Sequence, residues 1–201
     1  MGASTQSLIT DFSQLDPEAS YTYADYLMWR FKERVELIRG KLFRMSPAPG
    51  LRHQQISREI SRMLFNFFHQ KTCQVFAAPF DVRLPLSRDK GEDASVVQPD
   101  LCVVCDPAKL DERGCAGAPD LIVEILSPGN SSREMNVKFR LYEEAGVREY
   151  WIVSPAEKAA FIFVLNNEGV FIGLAPVTVD AQLRSSVFPE LTIDLKEVFV
   201  E

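Results

Sequence analysis

The run over residues 119–145, PDLIVEILSPGNSSREMNVKFRLYEEA, constrains the fold more than any other part of the chain. Its first half is a short apolar run of Leu, Ile and Val, the composition of a strand buried on both faces. Side chains alternate along a strand, so Asp120, Ile122, Glu124 and Leu126 share one face. Two acids therefore sit where water is excluded, and an ionised carboxylate there needs a cation or several hydrogen-bond donors. A tight loop follows, and the period then changes to that of a helix. Met135, Val137, Phe139, Leu141, Tyr142 and Ala145 form one apolar arc, with Lys138 near its middle. Ser131 and Glu134 have capping-box spacing, and Glu134 and Lys138 have the spacing of an i,i+4 pair. A solvated pair accounts for Glu134 but not for an ammonium inside an apolar arc. The simplest partners for Lys138 are the acids of the preceding strand.

Gly146 supplies the helix stop, and REYWIVSP begins another strand. Strand, helix and strand over residues 120–153 make a crossover unit, which predicts a mixed α/β sheet. Around this unit, Thr22 caps a helix over residues 23–30, and RVELIRGKLFRMS reads as two strands about the turn Arg39-Gly40. After a loop at PAPG, a helix over residues 51–70 buries Ile56, Ile60, Met63, Leu64 and Phe67, with Phe68 at the edge of the stripe. His53 begins the same stripe. Residues 73–86 are β-like, 87–93 form a charged turn, 96–105 form one strand with Pro99 near its start, and 106–118 form a surface loop. Residues 159–165 lead through NNEG into a hairpin, and the tail FPELTIDLKEVF gives a short strand and a helical turn. Residues 1–17 are polar and aperiodic, a flexible arm, and residues 18–201 form one domain.

With 46% hydrophobic residues in 201, the chain can bury a substantial core. The formal net charge of -6 argues against a generic polyanion-binding surface, while leaving room for a local basic patch. No apolar run is long enough to span a bilayer, and no charged-then-apolar leader opens the chain, so a cytoplasmic protein is expected. Cys102 and Cys105 have C-x-x-C spacing, but within a strand the odd separation sends the thiols to opposite faces. With Cys73 and Cys115 they read as buried inert thiols, and disulfides are not expected in that compartment.

Asp100 and Glu124 on neighbouring strands, facing the same way, can hold one divalent cation. Mg²⁺ accepts one or two carboxylates and keeps waters and phosphate oxygens for the rest of its shell; Mn²⁺ is the substitute. Such an ion polarises a phosphodiester and acidifies a bound water. An ammonium beside it orients or deprotonates that water, or stabilises the charge that develops. Spacing alone allows a buried structural Glu–Lys pair equally well.

QPDLCVV, APDLIVEILSP, the helix with Glu134 and Lys138, and EAGVREYWIVSP, in that order, resemble the Uma-type family of putative restriction endonucleases, within the PD-(D/E)XK nuclease superfamily. ELIRGKL and SPAPGLRHQQIS match the family's pattern too, and the likeness spans most of residues 23–199. It implies a restriction-endonuclease-like α/β (α+β) core, a central mixed sheet flanked by helices, with an added N-terminal helix and hairpin and a C-terminal hairpin. In that frame Asp100 resembles the motif aspartate and Glu124 the (D/E). Leu126 stands where the superfamily has its lysine, and Lys138 of the next helix resembles the replacement. Glu36 and His53 resemble additional polar residues near the site. Asp120 is the rival to Asp100. It is set aside because four residues of strand separate it from Glu124 by roughly 13 Å, so it more naturally starts the strand.

The expectation is a Mg²⁺-dependent DNA endonuclease in which Asp100 and Glu124 hold the metal, Lys138 assists the water or the transition state, and Glu36 and His53 support them. A homodimer would let two such sites cut both strands of a duplex. The alternative is a nuclease-fold protein without cleavage that binds nucleic acid or protein.

Overall fold

The computed structural model describes residues 8–45, 50–84, 95–128 and 132–200. Among them, two larger sheets and one small one are flanked by helices. The chain opens with a 3-10 turn at Phe12–Gln14, helix α1 (Tyr23–Tyr26), the hairpin β1 (Val35–Ile38) and β2 (Lys41–Arg44), and helix α2 (Leu51–Phe68). Strands β3 (Gln74–Ala77), β4 (Val82–Leu84), β5 (Ser95–Val97), β6 (Leu101–Val104), β7 (Leu110–Asp111), β8 (Gly114–Ala116) and β9 (Leu121–Ile125) follow. Helix α3 (Ser132–Ala145) leads to β10 (Glu149–Ser154), β11 (Ala159–Leu165), β12 (Phe171–Gly173), β13 (Val177–Thr178), β14 (Gln182–Arg184), β15 (Thr192–Asp194) and α4 (Leu195–Val198).

The central sheet runs β12-β11-β10-β9-β6-β3, with β13 joined to β11. Strands β9 and β10 are parallel and are connected by α3, the crossover unit expected from the sequence. Strand β6 lies antiparallel beside β9, with Leu101 opposite Val123. The second sheet, β2-β1-β5-β4-β8-β7, carries the N-terminal hairpin, and β14 pairs β15 near the end of the chain.

Alternation along the central strands divides the interior into two cores. Leu101, Val103, Leu121, Val123, Trp151 and Val153 face α2, whose buried residues Ile56, Ile60, Leu64 and Phe68 recur at helical spacing. Cys102, Val104, Ile122, Tyr150 and Ile152 face the other way, toward Leu141 and Tyr142 of α3 and Ile38, Val82 and Val97 of the second sheet. Glu124 has the parity of Ile122 and so faces α3. Met63 and Phe67 are only partly buried, while Phe68, expected at the edge of the stripe, is in it. Two turns show their sequence logic plainly. Arg39 and Gly40 both take positive φ (52° and 74°), the pair of left-handed residues that closes a two-residue hairpin. Gly146 has φ 86°, and the bonds Val147 N to Tyr142 O and Gly146 N to Glu143 O complete a Schellman stop to α3.

Several expectations are corrected. The flexible arm does not extend to residue 17, because Ile9 bridges Trp29 and Leu15 is buried beside Trp29, Val35 and Leu37; residues 1–7 lie outside the described residues. Helix α1 is a single turn, closed by a capping box between Thr22 and Asp25. The single strand expected over 96–105 is two, β5 and β6, in different sheets. Pro99 lies between them, where its missing N–H costs no ladder bond. The loop at 106–118 contains the β7–β8 hairpin. Cys73 and Cys105 form a disulfide on the α2 side of the sheet, contrary to the expectation of four free thiols. Cys102 and Cys115 are free and buried, as expected, and burial raises both thiols, Cys115 to about 11. The charged turn at 87–93 and the Ser131 half of the capping box lie outside the described residues. Among the described residues, no helix is long and apolar enough to cross a membrane.

Candidate active site

The C-terminal end of β9, the start of β6, the N-terminal turn of α2, strand β1 and the middle of α3 meet at one end of the central sheet. Each brings one of the residues singled out above. Glu124 and Lys138 are joined directly: Lys138 Nζ lies 3.0 Å from Glu124 Oε1. The same ammonium lies 2.9 Å from Glu36 Oε1, so it bridges two carboxylates. Lys138 is 7% exposed and Glu36 is 1% exposed, so both charges of that pair are out of water. The Lys138 ammonium therefore answers to the strand acid, and to one acid more. Burial opposes its charge, yet Glu124 and Glu36 outweigh that, and the group is held well above the ordinary lysine range.

Asp100 lies at the head of β6, beside the end of β9. Its Oδ2 accepts from the Ile125 backbone N–H at 2.7 Å and meets His53 Nε2 at 3.2 Å. His53 enters from α2 at the start of the buried stripe, as its spacing indicated. Burial pulls its imidazole down, but the hydrogen bond and charge of Asp100 lift it above its usual value. Asp120 does not join this cluster. It accepts from Cys105 N at 2.9 Å and pairs with Arg148 at 2.9 Å, tying the start of β9 to its neighbours.

The sequence reading missed two contributors. Tyr142, counted only as part of the apolar arc, donates its hydroxyl to Glu124 Oε1 at 2.7 Å. It is four residues after Lys138 and so on the same helix face, a signal that could have found it. Gln98 donates its backbone N–H to Glu36 Oε1 at 2.9 Å. Nothing in the sequence near Gln98 pointed to this contact, because it depends on the chain leaving one sheet for another at Pro99.

Electrostatically the cluster is unbalanced toward the acids. Burial raises the Glu124 carboxyl, Lys138 pulls it back, and Asp100 and Glu36 push it up again, leaving it at about 7. Glu36 Oε2 is buried and has no hydrogen-bond partner. A fully buried acid elsewhere in the fold shows what a structural carboxylate requires. Glu149 accepts from Trp151 Nε1, Ser185 Oγ, Ser186 N and Val187 N at 2.6–3.2 Å, and so pins the C-terminal segment to β10. Glu36 has no such complement of donors. An orphaned anionic oxygen beside a second acid fits a site that takes up a cation or a polar ligand. Among the described residues no group of three or more His, Cys, Asp or Glu is arranged to hold a metal ion.

Comparison with known proteins agrees with this architecture. The sequence model of the Uma2 family, described as putative restriction endonuclease, matches residues 23–196. An uncharacterized protein of Synechocystis sp. (strain ATCC 27184 / PCC 6803 / Kazusa) is 26% identical over 161 residues, covering 79% of this chain and 78% of that protein. The crystal structure of a putative nuclease belonging to DUF820 from Anabaena variabilis ATCC 29413 superposes with a TM-score of 0.67 at 23% identity, over 89% of this chain and 97% of that one. That likeness establishes the fold: a mixed sheet flanked by helices, shared with that structure.

Proposed function

Because the chain belongs to the Uma2 family of putative restriction endonucleases, we propose that it is a DNA endonuclease that hydrolyses phosphodiester bonds with the help of Mg²⁺, or Mn²⁺ in its place. The observation that carries this reading is the buried Lys138 ammonium shared between Glu36 and Glu124, with Asp100 and His53 paired at the next strand. Asp100 and Glu124 would hold the metal; when bound, it would supply Lewis-acid activation of the scissile phosphate and of a water. Asp100 meets Ile125 N and His53 through Oδ2, and Glu124 meets Lys138 and Tyr142 through Oε1.

The chain's own residues do the rest. Lys138 stays charged across the physiological range, so it acts as a fixed cation and not as a base. It steadies Glu124 and stabilises negative charge growing on the phosphate oxygens. Tyr142, whose burial and proximity to Glu124 keep it a phenol, orients that carboxylate. Glu36 holds Lys138 in place and offers Oε2 to a water. His53 fixes Asp100 through Oδ2.

A second reading keeps the fold without cleavage, as a module that binds nucleic acid or protein. It is favoured by the fact that no group of three or more His, Cys, Asp or Glu among the described residues is arranged to hold a metal ion. One experiment separates the two: incubate the purified protein with supercoiled plasmid and with short oligonucleotides in Mg²⁺, in Mn²⁺ and in chelator. Metal-dependent nicking that disappears in Lys138→Met supports the nuclease. No cutting of any substrate, together with no heat of Mg²⁺ or Mn²⁺ binding in calorimetry, would leave the module.

A further inference from the structure

We infer that the segment between α1 and β1 is a DNA-backbone track leading into the active site, a reading that deepens the nuclease proposal and rests on it. Exposure alternates along this segment: Trp29 is buried, Arg30, Lys32 and Arg34 are exposed, and Val35 is buried again. Three cations thus line up on the outer side of one short stretch. They form part of the wall of a cleft of about 380 Å³ whose other wall includes Asp81 and Gln98.

What sets these cations apart is that three of them without an ion pair share one short stretch; Lys41, Arg52 and Lys109 also donate only to backbone carbonyls, but singly and elsewhere. Most other cations of the described residues are matched to acids: Arg39 to Glu144, Arg58 and Arg62 to Glu59, Lys71 to Glu190, Arg83 to Asp111, Arg140 to Glu143 and Arg148 to Asp120. None of Arg30, Lys32 and Arg34 is in an ion pair among the described residues. Arg30 donates to the backbone carbonyls of Leu27 and Trp29. Arg34 donates to the neutral side-chain oxygen of Gln98 at 2.8 and 3.2 Å. The two acids in the cleft wall are engaged elsewhere, Asp81 by Tyr26 Oη and Gln98 Nε2, and Glu33 at 4.0 Å from Arg44. In a chain of net charge -6, Arg30, Lys32 and Arg34 without an ion pair on one short stretch concentrate positive charge locally, while Asp81 across the cleft keeps its own charge behind hydrogen bonds from neutral groups.

Its position gives it a use. Gln98 accepts from Arg34 with its side chain and donates from its backbone to Glu36, which holds Lys138. The cations therefore lead, through one residue, to the candidate catalytic cluster. Trp29 is too deeply buried to stack on a base, and Tyr26 and Phe31, which also line the cleft, are half-buried, so its exposed groups are chiefly the three cations. The partner it fits is the phosphate backbone of DNA, contacted without regard to sequence.

The test is salt-dependent binding of fluorescein-labelled duplex DNA by anisotropy, in chelator so that nothing is cut. Replacing Arg30, Lys32 and Arg34 with Ser should flatten the slope of log affinity against log salt by about 2–3 and weaken binding by between about tenfold and a hundredfold near 0.15 M salt. Lys32→Ser alone, at an exposed side chain without a partner, keeps the fold intact and should flatten the slope by about 1. Lys71→Ser with Lys196→Ser, on other surfaces, should leave it unchanged. An RNA probe bound more tightly than DNA by the wild type would overturn the assignment to DNA. An unchanged slope in both cleft variants, or a wild type that binds no DNA, overturns the proposal. A protein that cuts DNA with its slope unaffected by these changes sinks the track and leaves the nuclease. One that binds through the track but never cuts sinks the nuclease and leaves the track.

Discussion

Lys138→Met is the perturbation on which the electrostatic account turns. The ammonium lies 2.9 Å from Glu36 and 3.0 Å from Glu124, in a place where neither partner has much water to turn to. Removing it leaves two carboxylates facing each other across a methionine. Breaking a buried ion pair from one side costs about 3–5 kcal/mol. In a domain of this size, that lowers the melting temperature by on the order of 10 °C. The loss must depend on pH, and its sign follows from Glu124. Its folded carboxyl already titrates at about 7, above the ordinary 4.5, because burial and the neighbouring acids outweigh Lys138. A group raised on folding contributes its stability fully below its unfolded value, and that contribution is lost as pH rises through the folded value. Taking Lys138 away removes the larger of the two causes holding Glu124 down and leaves only the Tyr142 hydrogen bond, so the folded value climbs further and the window of loss widens upward. Melting of wild type and variant in chelator, by circular dichroism from pH 5 to pH 9, should show the smallest gap at pH 5 and the largest near pH 9. A variant that melts within about 1 °C of wild type at pH 9 would refute the buried bridge. A gap that does not shrink toward pH 5 would refute the assignment of the strain to Glu124.

Glu36→Gln removes one acid while keeping an acceptor for Gln98 N; the Glu124 carboxyl should then titrate below about 7, read by carbon NMR of labelled glutamate, and metal-dependent cutting should fall at least about tenfold. Under denaturing conditions without reductant, alkylation should modify two of the four cysteines, Cys102 and Cys115, and all four after reduction. Because the Cys73–Cys105 bond spans a sequence separation of 32, losing it should cost roughly 3–4 kcal/mol of stability, measured by chemical denaturation of Cys73→Ser with Cys105→Ser. Gly146→Ala meets no steric contact within 4 Å and so should cost only its left-handed backbone, about 1–2 kcal/mol in the same assay, with metal-free DNA binding unchanged.

The parts of the molecule that could be read from the sequence are those fixed by local period. The crossover unit, the stripe on α2, the two-residue hairpin at Arg39-Gly40 and the position of Lys138 all follow from spacing along one element. What could not be read depends on which element lies beside which. The strand over 96–105 looked continuous because hydrophobicity does not record a change of sheet; only Pro99 hinted at the break. Cys73 and Cys105 are far apart in sequence, and their meeting follows from β3 pairing with β6, which no local pattern announces. Leu15 and Ile9 sit in polar surroundings, so their burial against Trp29 was invisible to a windowed reading. Tyr142 was visible but assigned to the wrong task, since a tyrosine on a buried arc satisfies the apolar pattern as well with its hydroxyl used as without.

The same distinction bears on why the acids are where they are. A fold can bury a carboxylate cheaply when the backbone nearby supplies donors, as the Ser185–Val187 turn does for Glu149. Glu36 and Glu124 are placed differently. They project from ordered strands toward a single ammonium, and one oxygen of Glu36 has nothing to accept from. Replacing such a trio with apolar side chains of similar volume is often neutral or stabilising. Stability therefore does not account for Glu36, Glu124 and Lys138 together, and a task at the site does. On that argument Glu36→Gln, which keeps an acceptor for Gln98 N, combined with Glu124→Leu, Lys138→Met and Tyr142→Phe, which strands no hydroxyl, should melt at or above the temperature of the wild type while losing all metal-dependent cutting. A combined variant that melts well below Lys138→Met would show instead that the charges are there to hold the fold.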